Sequence, residues 1–173
     1  MGYDSHIARL WEVEDKIEMY QRGMKYEESR QKLLNLLGVN SGIMLKNGND
    51  GEEARLSKPS IGKLVSNTAV RKSMDNGFSR EQHYAVVSDI DNLYSCASEV
   101  WNHPDKYGNT DVVIHRLAAP LYFDNAVAYI TVKESAHRGR KIYSAELMTI
   151  EKLGGILEGA RSSSHSLPSP SLN

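Results

Sequence analysis

The segment from Asn125 to Ser135, NAVAYITVKES, constrains the fold more than any other part of the chain. Its side chains alternate strictly. Ala128, Ile130 and Val132 fall on one face, and Tyr129, Thr131 and Lys133 on the other. A period of two is the signature of a β-strand with one face buried and one in water. The flanking stretches, DVVIHRLAAPLYF before it and KIYSAELMTIEK after it, are also β-rich, the first with a kink at Pro120. The connections between them are short, and AHRGRK is a basic turn. Connections of that length join antiparallel neighbours. The expected core is a three-stranded antiparallel meander, with a fourth short strand near Ala54.

Such a sheet needs a cover, and the sequence offers one. Asn76-Gly77 makes a turn, and Ser79 with Gln82 three residues on forms a capping box. Val86, Ile90, Leu93, Ala97 and Val100 then recur at helical spacing. One long helix is predicted from Arg80 to Trp101, ended by Asn102-His103-Pro104-Asp105. Upstream, Lys58-Pro59 disfavours helix just before the proline. Ile61, Leu64, Val65, Ala69 and Val70 fit two short helices or one bent one. The predicted class is α+β: a three- or four-stranded antiparallel sheet packed by a long helix, with an N-terminal helical arm.

The arm covers residues 1–38. Ile7, Leu10, Trp11, Ile17 and Tyr20 form a first stripe, Gly23 is placed to break it, and Tyr26, Leu33, Leu34 and Leu37 resume it before Gly38. A stripe of this kind is usually a docking face, and self-association is the alternative. Residues 39–53, with Asn-Gly and Asp-Gly pairs, read as a linker or a loose hairpin. The main domain spans 54–161, with a short closing helix from Leu153 to Arg161. Residues 162–173, rich in Ser and Pro, read as a disordered tail.

Several function classes are disfavoured. The sequence has no Walker loop, no GxGxxG, no HExxH and no CxxC, and it has one cysteine, Cys96. Its six histidines show no metal-ligand spacing, so neither a metal nor a cofactor is expected. No apolar run is long enough for a membrane helix, and the first residues lack the pattern of a secretory leader. A cytoplasmic protein with no membrane contact is expected. The net charge is −1, so nucleic-acid binding would have to rest on a local patch.

The residues that could carry chemistry lie on or beside the predicted sheet. His115 and Arg116 interrupt an apolar strand and could act as an acid–base group and an anion clamp. The alternative is a strand arginine paired with Glu134 or Glu146. With Lys133 and Tyr143 they make a candidate catalytic set for metal-independent cleavage of RNA. Strand alternation argues against all four sharing one face, because His115 and Arg116 must point apart unless a bulge intervenes. His137, Arg138, Arg140 and Lys141 form a basic turn, of which Arg138, Arg140 and Lys141 are candidate nucleic-acid contacts. Arg71-Lys72 adds a second small basic spot. His83, near the start of the best helix, is either a neutral base or a packing residue.

An ordered series of motifs carries a resemblance. SNTAVRKSMDNGFSREQHYAVVSDIDNL comes first, then HPD from His103, IHR from Ile114, AYITVKES from Ala128 and IYSAEL from Ile142. Together these resemble the third of the large polyvalent protein-associated domains, from about Leu56 to about Leu157. The resemblance implies an α+β domain of very large phage, prophage and mobile-element proteins. Companions there include methyltransferases, helicases and proteases that protect incoming DNA or act on the host. It implies no established activity. Three functions are carried forward: an accessory domain that binds a host or phage partner, a metal-independent nuclease related to toxins, and an assembly protein that oligomerises through its helical arm.

Overall fold

The computed structural model describes residues 2–137 and 140–153. The expected closing helix, Leu153–Arg161, lies outside the described residues beyond Leu153, as do the tail at 162–173 and Arg138. The chain is α+β. It runs α1 (Gly2–Arg22), α2 (Tyr26–Leu37), β1 (Gly42–Lys46), β2 (Glu53–Ser57), α3 (Lys58–Leu64), α4 (Asn67–Asp75), α5 (Arg80–Val87), α6 (Ile90–Cys96), β3 (Ser98–Pro104), β4 (Val112–Pro120), β5 (Ala126–His137) and β6 (Arg140–Lys152).

The strands lie in the order β1-β2-β6-β5-β4-β3. β3 to β6 form a four-stranded antiparallel meander. The expected strand near Ala54 is β2. It pairs with β1 as a hairpin and meets β6 in parallel where Arg55 lies opposite Ser144. Residues 39–53, read as a linker or loose hairpin, thus supply β1, the hairpin turn and the first residue of β2.

The long helix predicted from Arg80 to Trp101 does not exist as one element. Its start is as expected, because the Ser79–Gln82 capping box is complete at both hydrogen bonds. It stops at Val87. The Ser88 hydroxyl bonds back to the Ala85 carbonyl, and the Asp89 amide bonds Val86 three residues earlier, which closes a tight turn. The helix restarts as α6, and the chain turns extended at Ala97 (ψ 148°). Asn47, from the β1–β2 turn, donates to the carbonyls of Tyr94 and Ala97 at 2.8 Å each and so caps the end of α6. Ser98–Pro104 then pairs with β4, which would otherwise present an open edge.

The burial pattern follows the pleat. Leu117 and Ala119 of β4, Ala128, Ile130 and Val132 of β5, and Ala145 and Ile150 of β6 belong to the hydrophobic core with residues from α1 to α6. This is the inner face. In the turn after β4, Leu121 and Phe123 are both buried, and Tyr122 between them is driven to a positive φ of 62° and out into water. A bulky residue takes that conformation only when its neighbours fix it.

His83 lies inside this core, fully buried. Its Nε2 meets the Leu64 carbonyl and its Nδ1 the Ser73 hydroxyl, both at 2.8 Å. A carbonyl only accepts, so Nε2 carries the proton and Nδ1 accepts from Ser73. The Ser73 oxygen in turn accepts the Ile150 amide of β6 at 3.1 Å. The residue is a neutral bridge between α3, α4, α5 and the sheet, and burial holds its pKa below the usual histidine value. It meets no solvent that would bring a substrate.

The helical arm is built into the molecule. Gly23 adopts φ +85°, and a Cβ there would sit 2.6 Å from the Cβ of Glu81, so α1 can turn against the start of α5 only through glycine. Tyr20 is buried and donates to the Asp89 carboxylate. Asp89 also accepts Lys16 Nζ at 3.0 Å and Asn92 Nδ2 at 2.6 Å. Burial first, and then the Asp89 hydrogen bond, raise the Tyr20 pKa well above the ordinary phenol range.

Two of Asp89's donors come from the arm, so its loss should be felt at the α1 junction. Asp89→Ala leaves the buried Tyr20 hydroxyl unpaired and should cost about 2–4 kcal/mol in chemical denaturation. Lys16→Ala removes only a partly exposed ion pair and should cost less than about 1 kcal/mol. Equal losses in the two variants would show that Tyr20 and Asp89 do not anchor the arm.

Candidate functional site

Cross-strand register decides where each candidate side chain points. His115 lies opposite Val132, and Arg116 opposite Thr131. Val132 is buried in the core, so His115 belongs to the inner face and Arg116 to the outer one. Lys133, opposite Ile114, shares the outer face. Tyr143, opposite Glu134 and two register steps from core residue Ala145, shares the inner face with His115. The four predicted residues therefore divide into two pairs on opposite sides of the sheet.

On the inner face, His115 is held between two carboxylates. Its Nδ1 bonds Glu99 of β3, and its Nε2 meets Glu134 of β5 at 2.6 Å. The Tyr143 ring is 5.8 Å away, tilted by 49°. His115, Glu99 and Tyr143 border a cavity of about 150 Å³ that Asp50 and Glu52, from the β1–β2 hairpin, also line. Burial of His115 favours its neutral form, but the hydrogen bonds and charges of Glu99 and Glu134 outweigh burial and raise its pKa. The surroundings are acidic beyond that pair. Tyr94, whose hydroxyl donates to the Glu52 carbonyl, has its pKa pushed up to about 12, first by burial and then by Asp50 and Glu52. A site with this field attracts cations and repels phosphate.

On the outer face, Arg116 is enclosed by aromatic rings. Its guanidinium lies 4.1 Å from the Tyr129 ring centroid and 5.7 Å from that of Trp101, and it donates to Glu151 at 2.7 Å. Trp101 also packs on His103, with ring centroids 4.8 Å apart. The sequence alternatives for an acid partner, Glu134 and Glu146, both differ from the one observed. Glu134 bonds His115, and Glu146 falls at the irregularity where Thr131 pairs Leu147 but Val132 pairs Ala145. This outer cluster was not foreseen, because Trp101 was expected at the end of a helix. Its signal was the composition of Ser98–Pro104: Val, Trp and Pro in a stretch too polar for a helix core.

Of the basic turn, Arg140 and Lys141 begin β6 opposite His137 and Ala136. Among the described residues no group of three His, Cys, Asp or Glu side chains is arranged to hold a metal ion. No described helix is long and apolar enough to cross a membrane.

An antiparallel meander with one helix-covered face, an acid-flanked histidine on that side and an aromatic–guanidinium cluster on the other defines a small α+β domain. Its sequence matches the family model of Large polyvalent protein-associated domain 3 over residues 24–143. The chain belongs to that family. No curated protein and no solved structure matches it significantly.

The raised His115 pKa fixes the sign of a pH effect. The folded state holds the proton more tightly than the unfolded chain, so the stabilisation is fully present below about 6.5 and is lost as pH rises through the folded value. His115→Gln should therefore be destabilised relative to the parent in mildly acidic buffer, with the gap narrowing as the pH rises through the folded value. A gap that widens with pH would mean that His115 is held neutral.

Proposed function

We propose that this domain is a binding module of a phage- or mobile-element-type polyvalent protein, and that it engages a host or phage protein through the outer sheet face beside β3. The observation that carries this reading is the Trp101–Arg116–Tyr129 cluster. Trp101 is 44% exposed and Val100 50% exposed, on a strand at the edge of the sheet. Tryptophan, tyrosine and arginine dominate the energetics of protein interfaces because they bury large areas at small entropic cost. Glu151 already neutralises Arg116, so the patch offers no surplus positive charge to a phosphate backbone. That favours a protein surface as the ligand.

The nuclease reading has less support. His115 and Tyr143 lie apart from Arg116 and Lys133, and the cavity at His115 is ringed by carboxylates that repel a scissile phosphate.

A photo-crosslinking residue at exposed Val100, compared with one at exposed Met44 on the opposite edge strand, tests the proposal in extracts of a phage-infected host. A discrete product should form from position 100. Unlabelled parent protein should compete it away, and a Trp101→Ala, Arg116→Ala double variant should not. RNA cleavage in excess chelator that is lost in His115→Ala would instead establish an enzyme.

A further inference from the structure

The helical side of the molecule holds a basic groove that neither sheet face accounts for. One hollow, of about 610 Å³, lies between α2, α3 and the start of α4 and is bordered by Tyr26, Arg30, Lys58 and Gly62. A second, of about 520 Å³, adjoins it at Asn67 and adds Arg71 from α4 and Arg80 from α5. Four cations from four helices thus line two hollows that share Asn67, and Asp75 is the single acidic residue in their lining. All four side chains belong to exposed residues. Among the described residues none of them is in an ion pair, and Arg80 donates only to the neutral Tyr84 hydroxyl, at 3.4 Å.

This arrangement is not forced by composition. The chain has 22 acidic residues against 21 Lys and Arg, so carboxylates are plentiful. Lys16, His115 and Arg116 each hold a carboxylate partner. Here four cations outnumber one carboxylate, Asp75, in a concavity, where low-dielectric walls focus their field. The start of α4 opens on the same hollow and adds the positive end of a helix dipole. Tyr26 supplies a different kind of contact. Its ring is 40% exposed and is held edge-on by Tyr84 at 5.5 Å.

We propose that this groove binds the phosphodiester backbone of a single-stranded nucleic acid, with Arg30, Lys58, Arg71 and Arg80 on phosphates and Tyr26 as a platform for an unpaired base. Cations spaced along a groove with a fixed ring beside them are what a single strand requires. A duplex keeps its bases stacked and cannot use the ring. An acidic peptide would use the charges but has no base to place on Tyr26.

The test is fluorescence anisotropy of the full chain with labelled oligo-dT and oligo-U of about fifteen nucleotides in about 50 mM salt. Binding should weaken by at least about tenfold on raising salt to about 200 mM. Gly62 provides a clean variant, because a Cβ added there meets no atom within 4 Å. Gly62→Glu should weaken binding by about tenfold or more through local charge alone, while Gly62→Lys should match or exceed the parent. An Arg30→Ala, Lys58→Ala double variant should reproduce the loss with an unchanged melting temperature, and Trp101→Ala should bind as the parent does. Absence of binding at low salt overturns the proposal, as does indifference to both the Gly62→Glu and the double substitution. Displacement of oligo-dT by an oligo-glutamate peptide at equal charge concentration, with no effect of Tyr26→Ala, would assign the groove to an acidic protein segment instead.

Discussion

The pleat of β4 governs the rest of the structure. Adjacent strand residues point to opposite faces, and only one face of this sheet carries the apolar side chains that the helices bury. Once Leu117 and Ala119 are committed inward, His115 must follow them and Arg116 must face out. A slip of one residue would expose Leu117 and bury a guanidinium, a cost of several kcal/mol that the core would not tolerate. The two polar neighbours are therefore separated by a layer of backbone, and each finds its own acid. His115 lies between Glu99 and Glu134, and Arg116 reaches Glu151.

The same separation extends to the whole molecule. The net charge of −1 conceals three unlike surfaces. Carboxylates from β3, β5 and the β1–β2 hairpin surround His115. Aromatic rings and a neutralised arginine cluster beside β3 on the outer sheet face. Arginine and lysine line the depression among α2 to α5. The arm is part of this scaffold. Its Tyr20–Asp89 contact and the close approach at Gly23 dock α1 on the body, and α2 contributes Arg30 to the basic depression.

Much of the fold was legible where a single local period acts without competition. Alternation from Ala126 to Glu134 specified β5, Ser79 and Gln82 specified the start of α5, and Gly23 and Gly38 marked the ends of α1 and α2. The failure at Ser88–Pro104 has a definite cause. Val86, Ile90, Leu93, Ala97 and Val100 satisfy helical spacing by themselves. What breaks the helix is tertiary: Asp89 is recruited by Lys16 and Tyr20, residues 73 and 69 positions away, and Asn47 caps α6 from the hairpin. No local window contains those partners. The pairing of His115 with Glu134 and Arg116 with Glu151 was hidden for a similar reason, since it depends on the exact register across a five-residue turn and on an irregularity near Glu146. The basic groove was hidden most completely. Arg30, Lys58, Arg71 and Arg80 are scattered through the sequence, and only Arg71 sits beside another cation.

His115 and Arg116 serve opposite faces of one sheet. Side-chain NOEs in an isotope-labelled sample measure this directly. Contacts are expected between the His115 and Tyr143 rings, and between Arg116 methylene protons and the Tyr129 ring, with none linking Arg116 to Tyr143. NOEs from both His115 and Arg116 to Tyr143 would place them on one surface and contradict the separation on which the binding-module reading rests.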